Sequence, residues 1–188
     1  MNEPSVFDIY TNEYEEWFEK NKFAYLTELE AIRRALPPHP GRGLEIGVGT
    51  GRFAQPLGIE VGIDPSDKML EIARKRGIKA VKGEGENLPF KDEEFDFVLL
   101  AFTLCFVKDP KRVLQEAQRV LKPNGLILIG IIDRESELGK LYLSRKNESK
   151  FYRIATFFST QEIMDMLQEL GFKNIRTLQT LFGNPTEL

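Results

Sequence analysis

Between Tyr10 and Leu36 the apolar and aromatic residues Tyr14, Trp17, Phe18, Tyr25, Leu26, Leu29, Ile32 and Leu36 recur mostly three or four apart, with charges between them. That is the period of a helix packed along one side, and it predicts one long amphipathic helix or two. The pattern stops at Pro37-Pro38-His39-Pro40-Gly41, where proline removes amide donors and restricts the residue before it. Short apolar runs then alternate with helical stretches. Strands are expected at about 43–48, 59–63, 79–82, 95–102 and 126–132, the last (LILIGII at its core) so uniformly apolar that both faces should be covered. Between them fall a glycine turn with a short helix, a helix at 67–76 opened by Ser66 or Asp67 and closed by Gly77, and a helix at 110–122 closed by Pro123-Asn124-Gly125. A helix at about 160–170 and a strand at about 174–181 complete the pattern. Strands alternating with helices imply a three-layer α/β sandwich, a mostly parallel sheet wound by right-handed crossovers with helices on both faces.

Composition narrows the function more than the fold. At 188 residues with 41% apolar side chains the chain fits one ordinary globular domain. The net charge of −3 arises from 29 acids and 26 bases interspersed along the chain, so no basic stripe marks a nucleic-acid binder. Cys105 is the single cysteine, which excludes an internal disulfide framework and a cysteine metal cluster. His39 is the single histidine and precedes the first strand, on the edge opposite a ligand crevice, so no metal site is expected. The N-terminus carries acids where a secretory leader would carry bases, and no apolar run approaches the roughly 18 residues of a membrane span. A soluble, cytoplasmic protein without a membrane span is the expectation.

The chemistry centres on residues 45–51, Glu-Ile-Gly-Val-Gly-Thr-Gly, directly behind the first strand. In an open parallel sheet the ligand crevice lies beyond the carboxyl ends of the strands, beside the first one. A dinucleotide fingerprint requires glycine at the first, third and sixth positions, and counting from Gly47 the sixth is Arg52. Asp64, at the tip of the second strand, can accept hydrogen bonds from both hydroxyls of a ribose. Glu45 favours a cationic group near the turn, and the amides opening the next helix favour an anionic one. A zwitterionic amino acid joined to a ribose meets all three demands, and S-adenosylmethionine is such a ligand.

The order of segments LEIGVGTGRF, GIDPSDKML, GEGENLPFKDEEFDFVLLAFTLCFV, DPKRVLQEAQRVLKPNGLILI and FFSTQEIMDMLQELGF resembles the class I methyltransferases, among them the type 11 methyltransferase domains related to the quinone-biosynthesis enzymes. The resemblance runs from about residue 6 to 181. It implies a Rossmann-like sheet of six to seven strands, S-adenosylmethionine as cofactor with S-adenosylhomocysteine as product, and methyl transfer by in-line displacement to a small-molecule acceptor. It divides a single domain, 1–188, into an N-terminal helical lid (1–40), a cofactor-binding core (41–133), an acceptor-side insertion (134–158) and a C-terminal helix and strand (159–188). Carried over by position, Glu45, Gly47, Gly49 and Gly51 shape the methionine pocket, Asp64 holds the ribose, and Pro65 flanks the adenine with Met69 nearby. Glu84 faces the adenine amino group, the backbone at Gly85 and Glu86 reads the ring nitrogens, and the Ala101 carbonyl meets the methionine ammonium. Tyr14 on the lid either lines the site or packs.

No catalytic base is named by the sequence. Where family members often carry histidines after the fourth strand, this chain has Cys105 and Phe106. Acceptor-pocket candidates are Tyr14, Phe102, Thr103, Cys105, Phe106 and Arg134, and the aromatic and cationic mix of the insertion hints at a planar or anionic acceptor. Tyr142 and Lys146 match a Tyr-x-x-x-Lys dehydrogenase spacing that the glycine turn does not support. Two other readings stay open, a non-catalytic S-adenosylmethionine binder and an NAD(P)-dependent oxidoreductase. Neither the acceptor, the methylated atom nor the oligomeric state can be read from the sequence.

Overall fold

The computed structural model describes residues 5–181. Five strands, β1 (Gly43–Ile46), β2 (Val61–Asp64), β3 (Lys79–Lys82), β4 (Phe95–Ala101) and β5 (Leu121–Gly130), form one sheet in the order β3-β2-β1-β4-β5. All four pairings are parallel. Helices α1 (Val6–Ile9), α2 (Thr11–Lys20) and α3 (Lys22–Ala35) precede the sheet, followed by α4 (Ala54–Leu57), α5 (Asp67–Lys75), α6 (Pro110–Val120), α7 (Glu137–Ser144) and α8 (Thr160–Glu169). The molecule is thus a Rossmann-like αβα sandwich with N-terminal helices.

Side chains of β4 divide between the two faces with the period of a strand. Val98 and Leu100 join a core with Val113, Leu114 and Ala117 of α6 and Ile163 and Leu167 of α8. Phe97 and Leu99 join the opposite core, with Phe18, Leu29, Phe53, Leu70 and Ala73 of the N-terminal helices, the turn after β1 and α5. Both faces are covered at the centre of the sheet, where β4 is apolar apart from Asp96 and β1 buries Glu45 among apolar residues, whereas β5, expected to be covered on both faces, is an edge strand and leaves Leu126 37% exposed.

The N-terminal helix is broken rather than continuous. Asn21 separates α2 from α3, and its side-chain amide donates to the Trp17 carbonyl at 2.9 Å, ending the first segment. β5 begins at Leu121, inside the expected helix, because Leu121 pairs with Phe95 before the register shifts at Phe95/Phe97 around Pro123-Asn124-Gly125. Among the described residues the sheet has five strands where six to seven are expected. Residues 174–181 form no strand. Left-handed backbone at Asn174 and Leu181 bounds the segment at its two ends, and no strand among the described residues pairs with it, so Leu178 stays 65% exposed. The remainder of the expected C-terminal segment, 182–188, lies outside the described residues. No helix among the described residues is long and apolar enough to cross a membrane.

Candidate functional site

The strand order reverses between β1 and β4, and the segments leaving their carboxyl ends meet there. Gly47 and Gly49 hold the turn after β1 in left-handed conformations (φ 73° and 51°). Each also makes room for a neighbour: a Cβ on Gly47 would strike the Thr103 side chain, and one on Gly49 would stand 3.1 Å from the Tyr14 hydroxyl. Gly51 is left-handed as well (φ 83°), and its missing Cβ leaves room for Ile78 and Ala73. Thr103 donates to the Ala101 carbonyl at 3.2 Å, tying the end of β4 to the same crevice. The next residue inward, Phe102, has φ 57°, a strained backbone for a bulky side chain, with its amide bonded to the Gly130 carbonyl of β5.

Two carboxylates sit at the turn. Asp64 ends β2 and accepts the Gly49 amide on one oxygen at 3.0 Å and the Ser66 amide on the other at 2.9 Å, which leaves a lone pair free on each. Burial raises its carboxyl to about 6, although both amide bonds favour the ionised form, and Asp8 adds to the rise. Glu45 is 1% exposed, and its Oε2 has no hydrogen-bond partner among the described residues. Burial pushes its carboxyl well above the carboxylate range; the Ala54 amide draws it back in part, and Asp64 pushes it further. A buried, unpartnered oxygen of this kind costs stability unless a ligand satisfies it.

The N-terminal helices lie over the turn and are pinned to it by charge. Glu15 of α2 takes hydrogen bonds from Arg52, Arg76 and Thr50, and Arg52 also pairs with Glu19 at 2.8 Å while its guanidinium stands 5.2 Å from the Phe18 ring. Burial alone would raise the Glu15 carboxyl, but bonds from Arg76, Arg52 and Thr50 outweigh it and hold it at about 2. The arginine that breaks the dinucleotide pattern therefore anchors a helix. Asp8 of α1 accepts the hydroxyl of Ser66, the N-cap of α5. Tyr14 belongs to an aromatic cluster with Phe7, Phe18 and Phe151. Burial raises its hydroxyl above the ordinary phenol range, helped by the field of Glu45 and Asp64.

Not all the sequence candidates converge. Tyr14, Glu45, Gly47, Gly49, Asp64, Ala101 and Thr103 meet at the crevice. Pro65 is exposed at the end of β2, and Met69 is fully buried, its amide bonded to Ser66 Oγ. Glu84 is exposed and pairs with Lys108 at 3.6 Å. Gly85 lets Ile46 and Val113 close in beside it, while Glu86 accepts the amides of Lys108 and Asp109. Cys105 donates to the Phe102 carbonyl, and burial raises its thiol to about 12, so it is no thiolate at neutral pH. Phe106 stacks on Tyr152 at 5.9 Å. Arg134 turns to Glu135 and Glu162. His39 is exposed ahead of β1. No group of three or more His, Cys, Asp or Glu among the described residues could hold a metal ion.

Sequence reasoning missed Glu15, whose role depends on partners 35 to 61 residues away.

A parallel sheet with a glycine turn at its switch point and an acid at the end of β2 is the arrangement of a Rossmann-like fold. Residues 44–129 match the family described as Methyltransferase domain. An uncharacterised protein of Methanocaldococcus jannaschii is 56% identical over 178 residues, 95% of this chain and 86% of that one. A crystal structure from Thermotoga maritima, described as a SAM-dependent methyltransferase and possible histamine N-methyltransferase, shares 55% identity with TM-score 0.93, over 97% of this chain and 87% of that one. Demethylmenaquinone methyltransferase of Staphylococcus aureus is 30% identical over 166 residues, 72% of this chain and 69% of that one. An uncharacterised Mycobacterium tuberculosis protein is 38% identical over 92% of this chain, which spans only 61% of that relative's length. The chain belongs to the class I S-adenosylmethionine-dependent methyltransferases.

Proposed function

We propose that the protein is an active methyltransferase that binds S-adenosylmethionine at the turn after β1 and methylates a small-molecule acceptor. The observation that carries the reading is the unpartnered Glu45 oxygen buried at that turn, which a ligand ammonium would satisfy. Asp64, already oriented by two amides, has lone pairs left for ribose hydroxyls. Gly47 and Gly49 keep the backbone bare where the methionine end would lie, with the Ala101 carbonyl beside it. Pro65 and Met69 would border the adenine, with Glu84 and the backbone at Gly85 and Glu86 on its polar edge. When bound, the cofactor supplies an electrophilic sulfonium methyl open to in-line displacement.

The chain's own contribution is alignment and exclusion of water, effects worth on the order of 7–11 kcal/mol when orientation is good. Helices of the 1–40 segment act as the lid, with Tyr14 closing over Gly49. The loop Phe102–Phe106 and the 134–158 insertion wall the acceptor. Kinship to the quinone-biosynthesis enzymes is supported at the level of the domain by the Staphylococcus relative, and the Thermotoga relative's description is in keeping with a small acceptor. Calorimetric titration with S-adenosylmethionine, S-adenosylhomocysteine and reduced nicotinamide cofactor tests the reading. Binding of the first two is expected, and tight binding of the nicotinamide cofactor alone overturns it.

A further inference from the structure

We propose that Lys150 and Phe151 of the insertion form a releasable clasp on the N-terminal helices, and that parting this clasp gates the exchange of the methyl donor. The inference rests on the reading of those helices as a lid over the glycine turn, and it adds a second body that holds the lid from the acceptor side. Phe151 lies between the 3-10 turns Lys146–Glu148 and Tyr152–Ile154 and reaches three rings of the lid. It stacks on Phe7 of α1, centroids 5.5 Å apart at 26°, and stands edge-on to Tyr10 at 6.3 Å and to Tyr14 of α2 at 6.2 Å. Phe151 thus backs the tyrosine whose hydroxyl lies over Gly49. Beside it, the Lys150 ammonium stands 4.4 Å from the Tyr10 ring centroid and 3.2 Å from the carboxylate of Glu13.

The insertion and the lid are each fastened elsewhere by stronger means. Backbone bonds tie the insertion to the core: the Arg134 amide donates to the Phe158 carbonyl at 3.1 Å and the Thr156 amide to the Cys105 carbonyl at 2.7 Å. Glu15 ties the lid to the glycine turn, and Asp8 ties it to the start of α5. Between the two bodies the joint is made of side chains alone. Among the described residues no backbone hydrogen bond runs from 5–20 to 134–158, and the one side-chain bond is that of Lys150 to Glu13. That ion pair is about half exposed on both partners, so it contributes little, and the Phe151 ring carries the joint. One ring and one lysine between two separately anchored bodies can part without undoing either anchor.

The joint closes at the mouth of the crevice. Phe7, on which Phe151 stacks, also rests on Phe106 of the loop after β4 at 5.0 Å, so lid, insertion and acceptor-side loop meet at one ring. Because the clasp bears on the lid rather than on the ligand, parting it adds the same barrier to entry and to exit. Its removal raises both rates and leaves the affinity in place. A wall of the binding pocket behaves otherwise, since losing a wall speeds release alone.

The test follows binding of S-adenosylhomocysteine to the full chain by surface plasmon resonance. In Phe151→Ala the association and dissociation rate constants should both rise at least fivefold with Kd within threefold of the parent, while Phe151→Tyr, which keeps the ring, should stay within twofold. Lys150→Glu, a change on an exposed side chain that sets like charge against Glu13, should move both rates the same way by about twofold, and it keeps the test open if Phe151→Ala does not fold. In ligand-free protein, hydrogen exchange at residues 6–20 should quicken in Phe151→Ala while β1 keeps its protection. Unchanged rates, faster release with unchanged association, or unchanged exchange at residues 6–20 overturn the clasp and leave the methyltransferase reading intact. Failure of the parent to bind S-adenosylhomocysteine overturns that reading, and this inference with it.

Discussion

Glu45 and Asp64 are two carboxylates of one turn, each within the other's field or that of another acid, and their environments ask different things of a ligand. Glu45 in the folded chain titrates well above its ordinary 4.5, so its contribution to stability is fully present below about 4.5 and is lost as pH rises. Glu45→Gln keeps the shape and removes that loss. The variant should melt higher than the parent at pH 8 and equally at pH 4.5 in ligand-free thermal scans, yet bind S-adenosylhomocysteine at least tenfold more weakly. Asp64, raised to about 6, would have to be ionised to accept two ribose hydroxyls with full strength in the proposed site. Affinity for S-adenosylhomocysteine should therefore fall as pH drops below about 6, by up to tenfold per unit, in calorimetry at pH 5, 6 and 7. Asp64→Asn should lack that part of the pH dependence, and Asp64→Ala should lose at least tenfold at pH 7.

Whole elements are positioned by buried charge. Helix α2 covers the glycine turn because Glu15 reaches Arg52, Arg76 and Thr50 at once. Its carboxyl is depressed to about 2 from 4.5, so the stability it contributes is present above about 4.5 and lost as pH falls toward 2. Glu15→Gln should expose the amides of residues 11–20 to faster hydrogen exchange while β1 stays protected, and should speed release of S-adenosylhomocysteine severalfold in stopped-flow traces. Equal protection of α2 in parent and variant would show that aromatic packing alone holds the helix. The loop between β3 and β4 is organised the same way: Glu116 accepts the Leu88 amide and pairs with Arg112 and Arg119, and Arg119 in turn donates to the Leu88 and Phe90 carbonyls. Glu116→Ala should cost about 2 kcal/mol in denaturant unfolding, because the Leu88 amide and part of a guanidinium lose their acceptor.

At the scale of the molecule, a ligand that satisfies Glu45 and Asp64 stabilises the fold by mass action. S-adenosylhomocysteine at a hundredfold its Kd should contribute about 2.7 kcal/mol, raising Tm by about 5–10 °C in a chain of this length, whereas reduced nicotinamide cofactor should leave Tm unchanged. Much of the architecture was legible beforehand, since strands covered on both faces must be apolar throughout and amphipathic helices must repeat at three or four. The strand at 95–101, apolar apart from Asp96, and the helix capped by Ser66 are of that kind, whereas the 79–82 strand lies at the sheet edge with Lys79 and Lys82 exposed. The expected strand at 174–181 misled because residue preference describes readiness to pair, while a ladder also needs a neighbouring strand, and none among the described residues pairs with it. By itself, then, the sequence determined the αβα order, the glycine turn and the acid beyond it, all of which are local patterns. Only the tertiary structure decided that Arg52 anchors the helix over the glycine turn and that Glu45 Oε2 lacks a partner among the described residues, because each depends on which distant side chains arrive at the same place.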